Sequence, residues 1–288
     1  HPGSKNRVNL GVTRAMNSFE IIFRGKTAHG SANPWMGRSA LDAVELMNTG
    51  VNFLREHLKD PVRIHYVIND GGDAPNIVPD YAKVWYFVRN VDRPGVEEVY
   101  ERVLKCAEGA ALMTETTMEV NLITGVYDYL PNHTLSEIMD KNLRMIGIPQ
   151  FDDEEQAFAK EIQKNLGVEE EGLSTEIEPF EEPTEVSGGS TDCADVSWIV
   201  PTVGELSTAS FPLNTPGHSW AIVSCSATSA GFKGMLTAAK ILAASGIEVL
   251  MDKSIVQKVR EEFDEKTEGF TYKSSVPDNQ KPPIPGKK

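Results

Sequence analysis

Along the first half of the chain the apolar positions change period in a regular way. In "NSFEIIFRGK" (17–26), Phe19, Ile21 and Phe23 alternate onto one face, which predicts a strand. Over 39–58 the spacing becomes threes and fours, at Ala40, Ala43, Val44, Met47, Val51 and Leu54. That period predicts an amphipathic helix, with Ser39 placed to cap it. Residues 63–70, "RIHYVIND", predict a second strand with Ile64, Tyr66 and Ile68 on one face. Turn residues follow at 71–80, then a strand at 81–90, "YAKVWYFVRN". Residues 93–114 predict a helix that starts at Pro94 and turns Val96, Val99, Val103, Ala107 and Ala110 to one side. A last strand is expected at 117–130. The order β-α-β-β-α-β at these lengths predicts a ferredoxin-like α+β sandwich.

Beyond Leu130 the pattern loosens. Helices are expected at 133–147, 153–166 and 227–246, the last with small residues at packing spacing. The acidic block "EEEGLSTEIEPFEEPTE" (169–185) predicts a solvated loop without the spacing of a calcium loop. The Pro- and Lys-rich stretch from Tyr272 predicts a frayed tail.

Composition narrows the function classes. A length of 288 residues suits two domains. The formal net charge of −14 argues against a broad nucleic-acid surface or attraction to anionic lipid, while leaving room for a locally basic site. No apolar run approaches the roughly 20 residues of a membrane span. Three scattered cysteines, Cys106, Cys193 and Cys225, form no C-x-x-C pair, which favours a reducing, cytoplasmic setting over a disulfide framework.

Candidate chemistry sits where a reactive residue meets a backbone-shaping context. His29 lies in the loop "GKTAHGSANPW", between the first strand and the first helix. His218 lies in "NTPGHSW", where Pro216 and Gly217 are expected to turn the chain just before a strand. His1 opens the chain in "HPGSKN". Each has a plainer reading as a solvated loop or terminal histidine. Arg89 ends a hairpin strand and admits two readings, a clamp on a substrate carboxylate or an ordinary ion pair. Asp192 and Asp195 in "STDCAD" are carboxylates in a small-residue loop, and nothing around Cys193 signals a reactive thiol.

Four pieces together carry a family resemblance: "FRGKTAHGSANPWMGRSALDAVELM", "NDGGDAPNIVPDYAKVWYFVR", "GGSTDCADVSWIVPT" and "TPGHSW" followed by a long small-residue helix. In this order and spacing, residues 1–250 resemble the C-terminal two-thirds of the zinc-dependent aminoacylase/glutamate-carboxypeptidase metallopeptidase family. Within it they resemble the amidohydrolases typified by the B subunit of aminobenzoyl-glutamate hydrolase. The resemblance implies a discontinuous, partial α/β catalytic domain (1–15 and 131–260) with an inserted α+β ferredoxin-like dimerisation, or lid, domain (16–130). A polar tail (261–288) would follow. It implies two divalent metal ions, zinc or manganese, with His218 and His1 among their ligands; neutral imidazole binds zinc at about 2.0–2.1 Å. His29 would reach the partner subunit's active site and donate a hydrogen bond to the developing oxyanion. Asn76 would hydrogen-bond substrate nearby, and Asp192 and Asp195 would line the site wall.

The family's remaining metal ligands and its Glu-Glu base lie in an N-terminal segment that has no counterpart here. The expectation is therefore a catalytically incomplete chain that binds metal weakly or partially. The function implied is hydrolysis of an amide bond beside a carboxylate-bearing residue, aminobenzoyl-glutamate-like, as in folate catabolism. The implied partners are a second copy through the lid and a second hydrolase subunit, with no nucleic acid and no membrane. Two alternatives stay open: a non-catalytic dimerisation or binding fragment, and an aminoacylase or dipeptidase of the same family.

Overall fold

The chain opens with two short strands, β1 (Pro2–Gly3) and β2 (Arg7–Asn9), in the computed structural model, which describes residues 1–181, 186–277 and 280. Then follow β3 (Ala15–Arg24), α1 (Ala40–Leu54), β4 (Arg63–Asp70), β5 (Tyr81–Asn90), α2 (Arg93–Thr114) and β6 (Thr117–Val126). The second half runs β7 (Pro131–Asn132), α3 (His133–Ile146), α4 (Asp153–Leu166), α5 (Cys193–Ser197), β8 (Thr202–Val203), β9 (Glu205–Ala209), α6 (Trp220–Ser226), α7 (Ser229–Met251) and α8 (Lys253–Lys266). These elements divide into two compact units. One holds 13–129, 187–195 and the chain from 272; the other holds 1–12, 130–186 and 196–271.

In the unit that holds 13–129, β3 to β6 form an antiparallel sheet in the order β4-β5-β3-β6, the split βαβ arrangement expected from the periodicity. Phe19, Ile21 and Phe23 of β3 and Val84, Tyr86 and Val88 of β5 point from one face into the core. Ala40, Ala43, Val44, Met47 and Val51 of α1 and Val96, Val99, Val103, Ala107 and Ala110 of α2 close over them. The helices begin as their sequences suggest: Ser39 accepts a hydrogen bond from the Asp42 amide, and Asp92 from that of Gly95. A polar group within this core, the Tyr86 hydroxyl, donates to Asn48 Oδ1.

Three expectations need correction here. Only Ile64 of the β4 stripe is buried; Tyr66 and Ile68 are more than a third exposed, because β4 is an edge strand that runs out from under the helices. The last strand stops at Val126 rather than 130. The tail begins tied rather than frayed: Tyr272 Oη donates to Asp195 Oδ1 at 2.8 Å, and Tyr127 Oη donates to the Lys273 carbonyl at 2.9 Å.

In the other unit a three-stranded mixed sheet has β9 at its centre, parallel to β1 and antiparallel to β2. Val8, Leu206, Met139, Leu143 and Ile241 form its core. Helix α8 runs through Lys266, past residue 260 where the tail was placed, and buries Val259 and Phe263. Its Glu262 accepts from the backbone amides of His133 and Thr134 at the start of α3, at 2.6 and 2.9 Å. The 23-residue α7 is long and apolar enough, by length and composition, to cross a membrane, which the apolar-run criterion does not register. Part of the acidic block expected to be a loop, residues 182–185, lies outside the described residues, as does most of the tail beyond 277.

Candidate functional site

His29 stands on an excursion between β3 and α1 that is closed at its neck and pinned in its middle. Lys26 and Arg38 exchange both backbone hydrogen bonds, each at 2.8 Å. This close return needs Gly25, where a Cβ would stand 2.0 Å from the Arg38 carbonyl oxygen. Beyond the neck, the Val78 amide donates to the Ala28 carbonyl at 2.9 Å and the Gly30 amide donates to the Asn76 carbonyl at 2.8 Å. His29 is thus a strand-like bridge opposite Ile77, held on both sides, and its exposed ring projects from a fixed backbone. The structure places Asn76 on the strand-like segment opposite His29, its carbonyl accepting from the Gly30 amide.

The ring is also fixed chemically. His29 Nδ1 accepts from the backbone amides of Ser31 at 3.3 Å and Ala32 at 3.2 Å. An amide N–H can only donate, so Nδ1 is the acceptor nitrogen and the neutral ring carries its proton on Nε2. The loop therefore presents an N–H donor.

Arg89 lies elsewhere. It pairs with Met16 near the far end of β5, whereas the His29 excursion leaves the opposite end, where Arg24 pairs with Tyr81. Eight residues of strand separate Tyr81 from Arg89, roughly 26 Å at 3.3 Å per residue. Around Arg89 a second polar place is built that sequence reasoning missed. Arg89 donates from its Nη1 to the Gly188 carbonyl at 3.0 Å, and the Arg14 backbone amide donates to the Gly189 carbonyl at 2.8 Å. Burial and the nearby Arg14 charge both pull the Arg89 pKa down. Among the described residues no carboxylate pairs with either guanidinium, and four buried polar atoms here have no hydrogen-bond partner: Arg14 Nε, Arg89 Nε, Thr13 Oγ1 and Ser190 Oγ. Two like charges brought close, each with an unpartnered buried Nε, are costly unless a further acceptor meets them. Only the strand pairing and the return of 187–190 to β3 and β5 assemble this group, so no local motif could announce it.

Asp195 of the small-residue loop is structural. Its Oδ2 accepts from the Tyr127 amide at 3.2 Å and its Oδ1 from Tyr272 Oη. Burial first, and then this carboxylate, push the Tyr272 phenol up to about 12. Asp192 is exposed, and its carbonyl accepts from the Asp195 amide within the first turn of α5.

His218 precedes helix α6, not a strand as expected, and holds a left-handed backbone with φ 54°; Asn214, four residues earlier, has φ 57°. Non-glycine residues adopt this conformation rarely, and two in one loop mark a constrained presentation. His1 Nδ1 lies 2.7 Å from its own chain's Pro2 carbonyl and 4.0 Å from Glu205, and its ammonium donates to the Leu206 carbonyl at 2.7 Å. Among the described residues no group of three or more His, Cys, Asp and Glu side chains is placed to hold a metal ion. His1 and His218 therefore do not belong to a metal-binding cluster formed by those residues alone.

Comparison with known proteins bears on both places on the sheet. The sequence model described as a peptidase dimerisation domain matches residues 13–112. The chain is 40% identical to the B subunit of p-aminobenzoyl-glutamate hydrolase from Escherichia coli, over 90% of this chain and 59% of that protein. It is 27% identical to the Xaa-Arg dipeptidase of Mus musculus, over 91% of this chain and 54% of that protein. An aminobenzoyl-glutamate utilization protein from Klebsiella pneumoniae shares the fold, with a TM-score of 0.56 at 18% identity, over 85% of this chain and 52% of that one. The chain thus spans rather more than half the length of the curated relatives it matches. By the match to a peptidase dimerisation domain and by this identity along most of its length, the chain is similar to the peptidases that include the aminobenzoyl-glutamate hydrolases.

Proposed function

We propose that this chain supplies the oxyanion donor and the carboxylate anchor of an amidohydrolase that cleaves an amide bond beside a carboxylate-bearing residue, aminobenzoyl-glutamate-like. The observation that carries the reading is the distance between the two places. In aminobenzoyl-glutamate the amide carbonyl and the glutamate carboxylates are a few bonds apart, roughly 3–6 Å. Within one chain the His29 end and the Arg89 end of the sheet are far too widely separated to hold both groups of one substrate. They serve the same molecule only when two copies meet, His29 and Asn76 from one and Arg14 and Arg89 from the other. A domain of the dimerisation type and the exposed apolar edge of β4 favour such a pairing.

In this site the two guanidiniums, with Ser190 and Thr13, hold the substrate's carboxylate and fix the amide in place. As the carbonyl carbon is attacked, its oxygen gains charge, and His29 Nε2–H donates to it. Asn76, beside His29, orients the same part of the substrate. The two divalent ions that the resemblance implies do not fit the side chains of this chain by themselves, since no three donors converge among the described residues. Any such centre draws most of its ligands from outside these residues, with His218 in its constrained loop as this chain's contribution. In the assembled enzyme, His29→Ala should lower kcat by about 100- to 1,000-fold, the loss typical of one oxyanion donor, with KM little changed. A near-normal kcat would remove His29 from the mechanism.

A further inference from the structure

The arginines of this chain fall into two groups. Arg24, Arg38, Arg93, Arg144 and Arg260 each pair with a carboxylate. Of the others, Arg7 lies in the unit that holds 1–12, and Arg14, Arg55, Arg63, Arg89 and Arg102 gather at one corner of the unit that holds 13–129. None of these five has a carboxylate partner among the described residues. Arg63 and Arg89 stand directly opposite each other on β4 and β5. Arg14 donates to the carbonyl of Pro61, two residues before Arg63. Arg55 donates to the Ile64 carbonyl at 2.7 Å, and Arg102 to the His57 carbonyl at 3.1 Å. Partial burial first, and then the charges of Arg89, Arg55 and Arg63, pull the His65 pKa down, as expected for a ring set among three guanidiniums. Arg55, Lys59 and Arg63 are exposed and line a cleft of about 250 Å³, in which Asp60 supplies the only carboxylate of the lining.

Such a cluster is unfavourable by itself, because like charges directly opposite on neighbouring strands repel. Carboxylates to relieve it are abundant in a chain with 42 acidic residues against 28 basic ones. Instead, backbone carbonyls hold all five guanidiniums, Arg63 through those of Asp60 and Val62 and Arg89 through that of Gly188. This fixes each group and leaves most of its N–H donors free.

We infer that this corner binds an acidic peptide with several carboxylates in a row. One carboxylate meets one guanidinium side by side, so five fixed guanidiniums and Lys59 suit several acids on one molecule. The net charge of −14 repels any polyanion that runs on past the corner, which favours a short peptide over a nucleic acid. Arg14 and Arg89, proposed above to anchor the substrate's carboxylate, form the inner end of the corner. The peptide is then an acidic extension of the substrate on the side away from the scissile amide. Its identity as substrate rests on that anchor; its binding at Arg55, Lys59 and Arg63 does not.

The test titrates the full chain with pentaglutamate by isothermal calorimetry. Saturable binding is expected, weakening as salt rises, with free glutamate at least about tenfold weaker. Arg55→Gln with Arg63→Gln should weaken pentaglutamate about tenfold or more. Should circular dichroism show that this pair unfolds the chain, Lys59→Gln with Arg63→Gln replaces it. In the assembled enzyme the same variant should raise KM for an aminobenzoyl-oligoglutamate while leaving KM for aminobenzoyl-glutamate unchanged. Three results overturn the inference: no pentaglutamate binding; free glutamate binding as tightly as pentaglutamate; or an oligonucleotide of equal charge binding more tightly than the peptide. If Arg89→Ala left KM for aminobenzoyl-glutamate unchanged while the Arg55 and Arg63 variant still lost pentaglutamate, the anchor would fall and the peptide site would stand.

Discussion

Arg89 shows how differently one residue reads in sequence and in structure. At the end of a hairpin strand it is one of many arginines, equally suited to an ion pair. In the fold it faces Arg14 without a carboxylate, and both guanidiniums keep a buried Nε unpaired. If a substrate carboxylate completes this group, Arg89→Ala and Arg14→Ala should act mainly on KM in the assembled enzyme. About tenfold to a hundredfold is expected for each, the loss of one charge-assisted hydrogen-bonding partner. A kcat loss at unchanged KM would show that they do not anchor the ground state. The contrast with His29 is diagnostic, because an oxyanion donor acts on kcat. His29 itself was legible, since Gly, Ser, Asn and Pro around a histidine at a strand end describe a presented side chain. Its Nε2 tautomer was not, because it depends on where the amides of Ser31 and Ala32 point.

At the scale of elements, the β-α-β-β-α-β unit was legible because each element buries one continuous face, and periodicity records burial. Where burial and periodicity part, the reading fails. Tyr66 and Ile68 keep the strand period on an edge that no helix covers. Helix α8 was missed because it buries only Val259 and Phe263 among many charges, too thin a stripe to announce itself. Yet α8 has an electrostatic role that its polar sequence hides. Burial alone would raise the Glu262 pKa, but hydrogen bonds from Lys266, Thr134 and His133 outweigh it and hold the carboxyl down at about 2. The charged form caps the positive end of α3. The folded pKa lies below the ordinary value of 4.5, so this stabilisation is fully present above pH 4.5 and is lost as pH falls towards 2. Glu262→Gln should therefore cost about 1–2 kcal/mol at pH 7, with the gap closing between about pH 4.5 and 2. Thermal unfolding across that range checks it; a gap that is the same at pH 7 and near pH 2 would mean that charge is not what Glu262 contributes.

At the scale of the whole molecule, the groups proposed to recognise substrate and those proposed to bind metal part company. His29, Asn76, Arg14 and Arg89 are all set by one antiparallel sheet, whereas no three metal donors converge among the described residues. After dialysis against zinc, elemental analysis of the isolated chain should find well under one ion per chain; two would mean that ligands converge in a way this fold does not show. The central claim, however, is that one substrate is held by two copies. Mixing chains carrying His29→Ala with chains carrying Arg89→Ala, in the assembled enzyme, tests it most directly. Each hybrid dimer then contains one site with both residues intact and one with neither. Random pairing should restore aminobenzoyl-glutamate hydrolysis to about a quarter of the wild-type rate, far above either variant alone. Activity that stays at the level of the separate variants, with hybrid dimers present, would contradict the shared site.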